Sequence, residues 1–137
     1  MSVFVDTSAF LAVLDAEDRW HESAKQTWEE LLSGDESLVC SNYVLVEAFA
    51  VVQRRLGMEA ARTFHEDICP VLSVEWVDES SHRAGLATFL AAGRRQLSLV
   101  DCTSFELMRR CGISKVFCFD PHFREAGFEL VRSGQGS

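Results

Sequence analysis

No apolar run in this chain reaches the roughly 20 residues a helix needs to span a bilayer, so a helical membrane protein is excluded. The opening stretch MSVFVDTSAF has neither a basic n-region nor a small-residue cleavage site. It is expected to be mature structure rather than a signal peptide. The five cysteines, Cys40, Cys69, Cys102, Cys111 and Cys118, are odd in number and contain no CxxC pair. That argues against a zinc site and a disulfide framework, and for a reducing compartment, the cytosol. An excess of basic residues is also missing: the formal charge is −8. A nonspecific polyanion-coating protein is therefore disfavoured. Three arginine pairs, Arg54-Arg55, Arg94-Arg95 and Arg109-Arg110, are the candidates for a local basic rim. Neither internal repeats nor linkers interrupt the chain.

What is present is enough for a core. Apolar residues make up 47% of 137 residues, with ten Phe and three Trp, and a chain of this size folds as one domain without metal or disulfide staples. The expected domain covers residues 1–132, and the Gly/Ser-rich residues 133–137 are expected to be a flexible tail. Short β-rich runs alternate with helical patterns. Strands are predicted at 2–5, 37–40, 71–77, 115–119 and 128–131. Helices are predicted at about 7–14, 19–33, 43–56, 59–68, 81–92, from about 98 to Gly112, and briefly after Pro121. The helix from Tyr43 to Leu56 carries apolar residues on most of its surface and is predicted to be deeply packed. Strand–helix alternation implies an α/β fold, a three-layer α/β/α sandwich with a mainly parallel central sheet.

In such sheets chemistry gathers where strands end and the next helices begin. Asp6 follows the apolar run Val3-Phe4-Val5, and Asp120 follows the run that begins at Lys115. Asp101 lies in the first turn of its helix, and Glu47 in the second turn of a nearly all-apolar one. Each has a structural explanation of its own. Asp6 can cap a helix, Glu47 can pair with an arginine, Asp101 can answer a helix dipole, and Asp-Pro is turn chemistry. Their joint placement is what points to a site. Two carboxylates ~4 Å apart repel by roughly 4 kcal/mol at an effective dielectric of about 20. A hard divalent ion, Mg²⁺ or Mn²⁺, removes that conflict.

The segments VFVDTSAF, NYVLVEAF, SLVDCTSF and FCFDPHF resemble, in order and context, the four acidic motifs of the PIN domain, with the likeness running from Ser2 to about Val131. The resemblance implies a metal-dependent nuclease, and for small bacterial members a VapC-type toxin that cuts RNA. It maps Asp6, Glu47, Asp101 and Asp120 onto the acidic quartet, and Ser8 and Thr103 onto supporting hydroxyls. Two positions depart from the pattern. His122 stands where some members carry a further acid, and Cys118 where many carry Thr.

The implied mechanism is phosphodiester hydrolysis with Mg²⁺ (or Mn²⁺) as cofactor. Asp6 and Asp101 are the expected direct ligands, with Asp120 direct or through water. Glu47 is expected to bind a second ion or orient the attacking water. His122 is a candidate phosphate contact or proton donor. The implied partners are RNA, a second copy of the chain in a homodimer, and a small antitoxin that places a basic residue in the acidic site. The helix Tyr43–Leu56 and its neighbour to Ile68 are the candidate clamp for an antitoxin helix. No membrane partner is expected. Two alternatives stand beside this reading: a PIN-like module that binds RNA or protein without cutting, or a housekeeping RNA-processing nuclease. A receiver-like domain is disfavoured, because Lys115 begins its strand and Asp6 stands alone at the first one.

Overall fold

The computed structural model describes residues 1–132, so the expected tail at 133–137 lies outside the described residues. Five strands form an all-parallel sheet: β1 (Ser2–Val5), β2 (Ser37–Ser41), β3 (Leu72–Glu75), β4 (Lys115–Phe117) and β5 (Glu129–Leu130). Their spatial order is β3-β2-β1-β4-β5. β1 is central, with Phe4 opposite Val39 of β2 and Val116 of β4. Val3, Phe4 and Val5 are fully buried, which explains why this strand reads as an unbroken apolar run rather than an alternation.

Seven α-helices connect the strands: α1 (Thr7–Leu14), α2 (His21–Ser33), α3 (Asn42–Leu56), α4 (Met58–Thr63), α5 (Glu79–Ala92), α6 (Leu99–Cys111) and α7 (Pro121–Glu125). The chain moves outward from β1 to β3 and then crosses back to β4 and β5. Right-handed crossovers therefore set α1–α4 on one face and α5–α7 on the other. The helix contacts follow this division, with α1 against α2 and α3, and α6 against α5 and α7. α3 also meets α6. The direction of winding reverses between β1 and β4, and that switch point is where an open parallel sheet leaves a crevice.

Several elements differ from expectation, each for a local reason. β4 stops at Phe117 rather than running to Phe119. Beside it β1 has already turned into α1, so the N–H of Phe119 goes to Ser8 Oγ instead (2.9 Å). β3 is confined to Leu72–Glu75, and the Val77 N–H bonds Asn42 Oδ1 at 2.7 Å. The helix expected at 59–68 is split: α4 ends at Thr63, and a π-helical turn, Phe64–Ile68, brings Phe64 and Ile68 into the core. The deep packing expected of α3 is corrected as well. It buries only the stripe Val44, Ala48 and Val52, while Val46 is 71% exposed. Apolar residues all round a helix do not make it a buried one. Among the described residues no helix is long and apolar enough to cross a membrane.

α5 approaches α6 closely at Gly85. A Cβ there would stand 2.9 Å from Thr103 Cα on α6 and nearer still to Thr103 Oγ1. Backbone cannot yield as a side-chain tip does. Gly85→Ala is therefore expected to lower unfolding free energy by about 3 kcal/mol, measured by urea denaturation. A neutral substitution would contradict the close packing of α5 on α6.

Candidate functional site

The four acids come from both sides of the switch point. Asp6, 3% exposed, is the N-cap of α1. Its Oδ2 accepts from the backbone N–H of Ser8 (3.3 Å) and from Ser8 Oγ (3.0 Å). The Ser8 hydroxyl in turn accepts from the Phe119 N–H, so one side chain ties the end of β1 to the segment after β4. Burial, and then the charge of Asp101, push the Asp6 carboxyl up to about 7 against the partial relief of the Ser8 bonds.

Asp101 sits at the third position of α6 in a capping box. Its Oδ2 accepts from the Ser98 N–H (3.1 Å), and its own N–H donates to Ser98 Oγ (3.0 Å). It is 8% exposed. Its pKa is raised by burial and by the Asp120 charge, which outweigh the Ser98 bonds and the pull of His122. Asp120 caps α7, accepting from the His122 N–H at 2.8 Å. That turn folds the His122 ring back over the acids. Nδ1 lies 2.9 Å from Asp120 Oδ1 and 3.6 Å from Asp101 Oδ2. It is off the hydrogen-bonding direction and remains buried without a hydrogen-bond partner. One ligand atom from each of Asp101, Asp120 and His122 fits within 4.8 Å of the others.

Glu47 projects from the second turn of α3, half-buried, and Thr7 Oγ1 donates to its Oε1 at 2.6 Å. Burial raises its pKa against that bond, and Asp101 and Asp120 raise it further. The four acids thus share one field: Asp6 feels Asp101 and Glu47, and Glu47 feels Asp101 and Asp120. Three of them are held above the ordinary carboxylate range. A bound cation reverses that shift, since it favours the charged form of every carboxylate at once.

The supporting hydroxyls are partly other than expected. Ser8 holds Asp6. Thr103 makes no contact of that kind: its Oγ1 is buried without a hydrogen-bond partner and packs against Gly85. Residues two apart on a helix point to different sides, so Thr103 turns to α5 where Asp101 turns to the acids. Thr7 and Ser98 take the positions beside Glu47 and Asp101. Their signal in the sequence was that of helix-start hydroxyls, and for Ser98 the S-x-x-D spacing of a capping box. Cys118 is buried and its thiol lies 3.6 Å from the Asp120 carbonyl oxygen.

Fold and site together define a parallel α/β protein with an acidic cluster at the topological switch point. The chain belongs to the PIN domain family, whose model matches residues 3–129. It is 35% identical over 131 residues to the 23S rRNA-specific endonuclease VapC20 of Mycobacterium tuberculosis (strain ATCC 25618 / H37Rv), covering 95% of this chain and 98% of the relative. A VapC ribonuclease of Aquifex aeolicus is 26% identical over 132 residues, 93% of each chain. The crystal structure of Mycobacterium tuberculosis VapC20, a Sarcin-Ricin loop cleaving toxin, superposes with a TM-score of 0.85 over 96% of this chain and 99% of that one. VapBC2 from Rickettsia felis, bound to a DNA fragment from its promoter, shares the fold at a TM-score of 0.67 and 12% identity, covering 96% and 98% of the two chains.

Proposed function

We propose that this chain is a metal-dependent endoribonuclease of the VapC type, the toxin of a toxin–antitoxin pair. The observation that carries the reading is the convergence of Asp6, Glu47, Asp101 and Asp120 at the switch point, with three of them held against their charge. The 35% identity to a 23S rRNA-specific endonuclease along nearly the full length of both chains supports RNA as the substrate.

The donor set fits a divalent ion. Carboxylate oxygens from Asp101 and Asp120 meet a buried imidazole nitrogen that has no hydrogen-bond partner. Asp101, Asp120 and His122 would hold the ion, with Asp6 contributing directly or through water. When bound, Mg²⁺ or Mn²⁺ supplies a water of lowered pKa and polarises a phosphoryl oxygen. Glu47, held by Thr7, would orient the attacking water and accept its proton. Ser8 and Ser98 keep Asp6 and Asp101 in place. In this reading the chain pairs with a second copy, and a small antitoxin blocks the acids with a basic residue. The exposed Val46 on α3 and Met58 at the start of α4 belong to the face an antitoxin helix would cover.

Induced expression in a bacterial host tests the toxin reading. Wild type is expected to arrest growth and leave discrete new ends in the RNA pool, ribosomal RNA included, while Asp120→Asn does neither. Unimpeded growth with intact RNA, at confirmed expression of folded protein, would refute it.

A further inference from the structure

A chain with a formal charge of −8 and four clustered acids must still bring a polyanion to its site. The arginine pairs that the sequence offers for this are partly engaged elsewhere. Arg94 pairs with Glu125 (3.6 Å), Arg109 with Glu106 (3.3 Å), and Arg110 donates to Ser81 Oγ. A different pair of cations, Arg132 and Arg19, is organised on aromatic rings.

Trp20, just before α2, stacks on Phe119 with ring centroids 5.4 Å apart and planes 16° from parallel. The Arg132 guanidinium lies 4.6 Å from the Phe119 ring and 5.2 Å from the Trp20 ring, and that of Arg19 lies 4.6 Å from Trp20. Arg132 is fixed by its Nε, which donates to the Cys118 carbonyl oxygen at 3.2 Å. Its terminal nitrogens form no salt bridge with a described residue. The positive charge of Arg124 is close enough to be felt at Arg132. The backbone at Trp20 is fixed as well, its main-chain N–H donating to Asp18 Oδ1 at 2.8 Å. Phe119 immediately precedes Asp120, and its N–H is bonded to the same Ser8 hydroxyl that holds Asp6. Trp20, Phe119 and Arg132 are each only half-buried, and Arg19 is exposed.

Core packing accounts for the buried edges of these rings. It does not account for arginines gathered on rings of which one, Phe119, directly precedes Asp120, and without acidic partners among the described residues. Unpaired nucleotides are bound by this combination, aromatic faces for the base and a forked cation for the phosphate. We infer that the Trp20–Phe119 stack and Arg132 form a cradle for the unpaired nucleotide adjoining the scissile phosphate, the rings taking its base and the guanidinium its phosphate. Arg19 closes over the base from the solvent side. The inference rests on the ribonuclease reading and adds to it the side of the acidic site along which the RNA strand runs.

The test is binding of a fluorescein-labelled single-stranded RNA 12-mer to the full chain in an Asp101→Asn background, so that the probe is not consumed, with cleavage by wild type measured in parallel. Arg132→Gln is expected to weaken binding about tenfold and to reduce the slope of log Kd against log salt by ~0.7, the loss of one phosphate contact on a single strand. Trp20→Leu is expected to weaken it about tenfold with the slope unchanged, Trp20→Phe to recover most of the loss, and the RNA-induced quenching of tryptophan fluorescence to shrink in both. If wild type cuts RNA and both Arg132→Gln and Trp20→Leu bind as the parent does, with the same salt slope, the cradle is refuted and the nuclease stands. If wild type neither cuts nor binds, the ribonuclease reading falls and the cradle with it.

Discussion

Asp6→Asn is expected to cost at least about a hundredfold in cleavage rate and yet to raise the thermal stability of the metal-free protein at pH 8. Asp6 titrates at about 7 in the folded chain against an ordinary 3.8. Below the lower value both states are protonated and the group has no effect. Between the two values the unfolded chain gives up a proton that the folded chain keeps, so stability falls as pH rises, and levels off above about 7. The gap corresponds to roughly 4 kcal/mol. Asparagine carries no charge and still offers the oxygen that caps α1 through the Ser8 N–H. In EDTA at pH 8 the variant should therefore melt higher, by on the order of 10 °C for a chain of this size, and the two proteins should converge near pH 4. Adding Mn²⁺ should narrow the difference from the other side, by stabilising wild type. Thermal melts across pH in EDTA check this. An Asn variant that melts lower than wild type at pH 8 would show that Asp6 is not held against its charge.

The second large effect concerns the choice of ion. Mg²⁺ takes oxygen donors in a strict octahedron and dehydrates reluctantly. An imidazole nitrogen suits first-row transition ions better. If His122 Nδ1 joins Asp101 and Asp120 as a donor, as their spacing allows, Mn²⁺ is expected to bind more than about tenfold tighter than Mg²⁺. His122→Asp, which restores an all-oxygen set, should bring the two affinities together. Isothermal titration of each ion into wild type and variant measures the ratio directly. Equal affinities in wild type would remove His122 from the ligand set and leave it as a lid over the acids.

Much of this was written locally. Val3-Phe4-Val5-Asp6 shows where β1 ends, because a buried parallel strand must be apolar and a carboxylate cannot continue it; the run into Asp120 places that acid beyond the end of β4, though the strand itself stops at Phe117. Asp101 was legible through its helix start. The contacts that were hidden are those between distant segments. Thr7 meets Glu47 across 40 positions, and Ser8 meets Phe119 across 111; neither pairing leaves a mark on the residues nearby. Thr103, mapped through the resemblance onto a supporting hydroxyl, instead turns to Gly85 of α5, because a position two residues along a helix from Asp101 faces another side. α3 was misjudged through composition: only Val44, Ala48 and Val52 are fully buried, with Leu45 and Phe49 packed on the core from the edges of that stripe and Val46 exposed. His122 was legible only as a candidate phosphate contact or proton donor; that its ring reaches both Asp101 and Asp120 follows from the α7 cap.

The most direct test of the central claim is cleavage of a labelled RNA pool by purified wild type and Asp101→Asn, each with Mg²⁺, Mn²⁺ or EDTA. The carboxylate cluster predicts discrete cutting by wild type with either ion, strongest with Mn²⁺, none in EDTA, and a loss of about a hundredfold or more in the variant. Cutting that survives EDTA or the substitution, or a folded wild type inert with both ions, would contradict it.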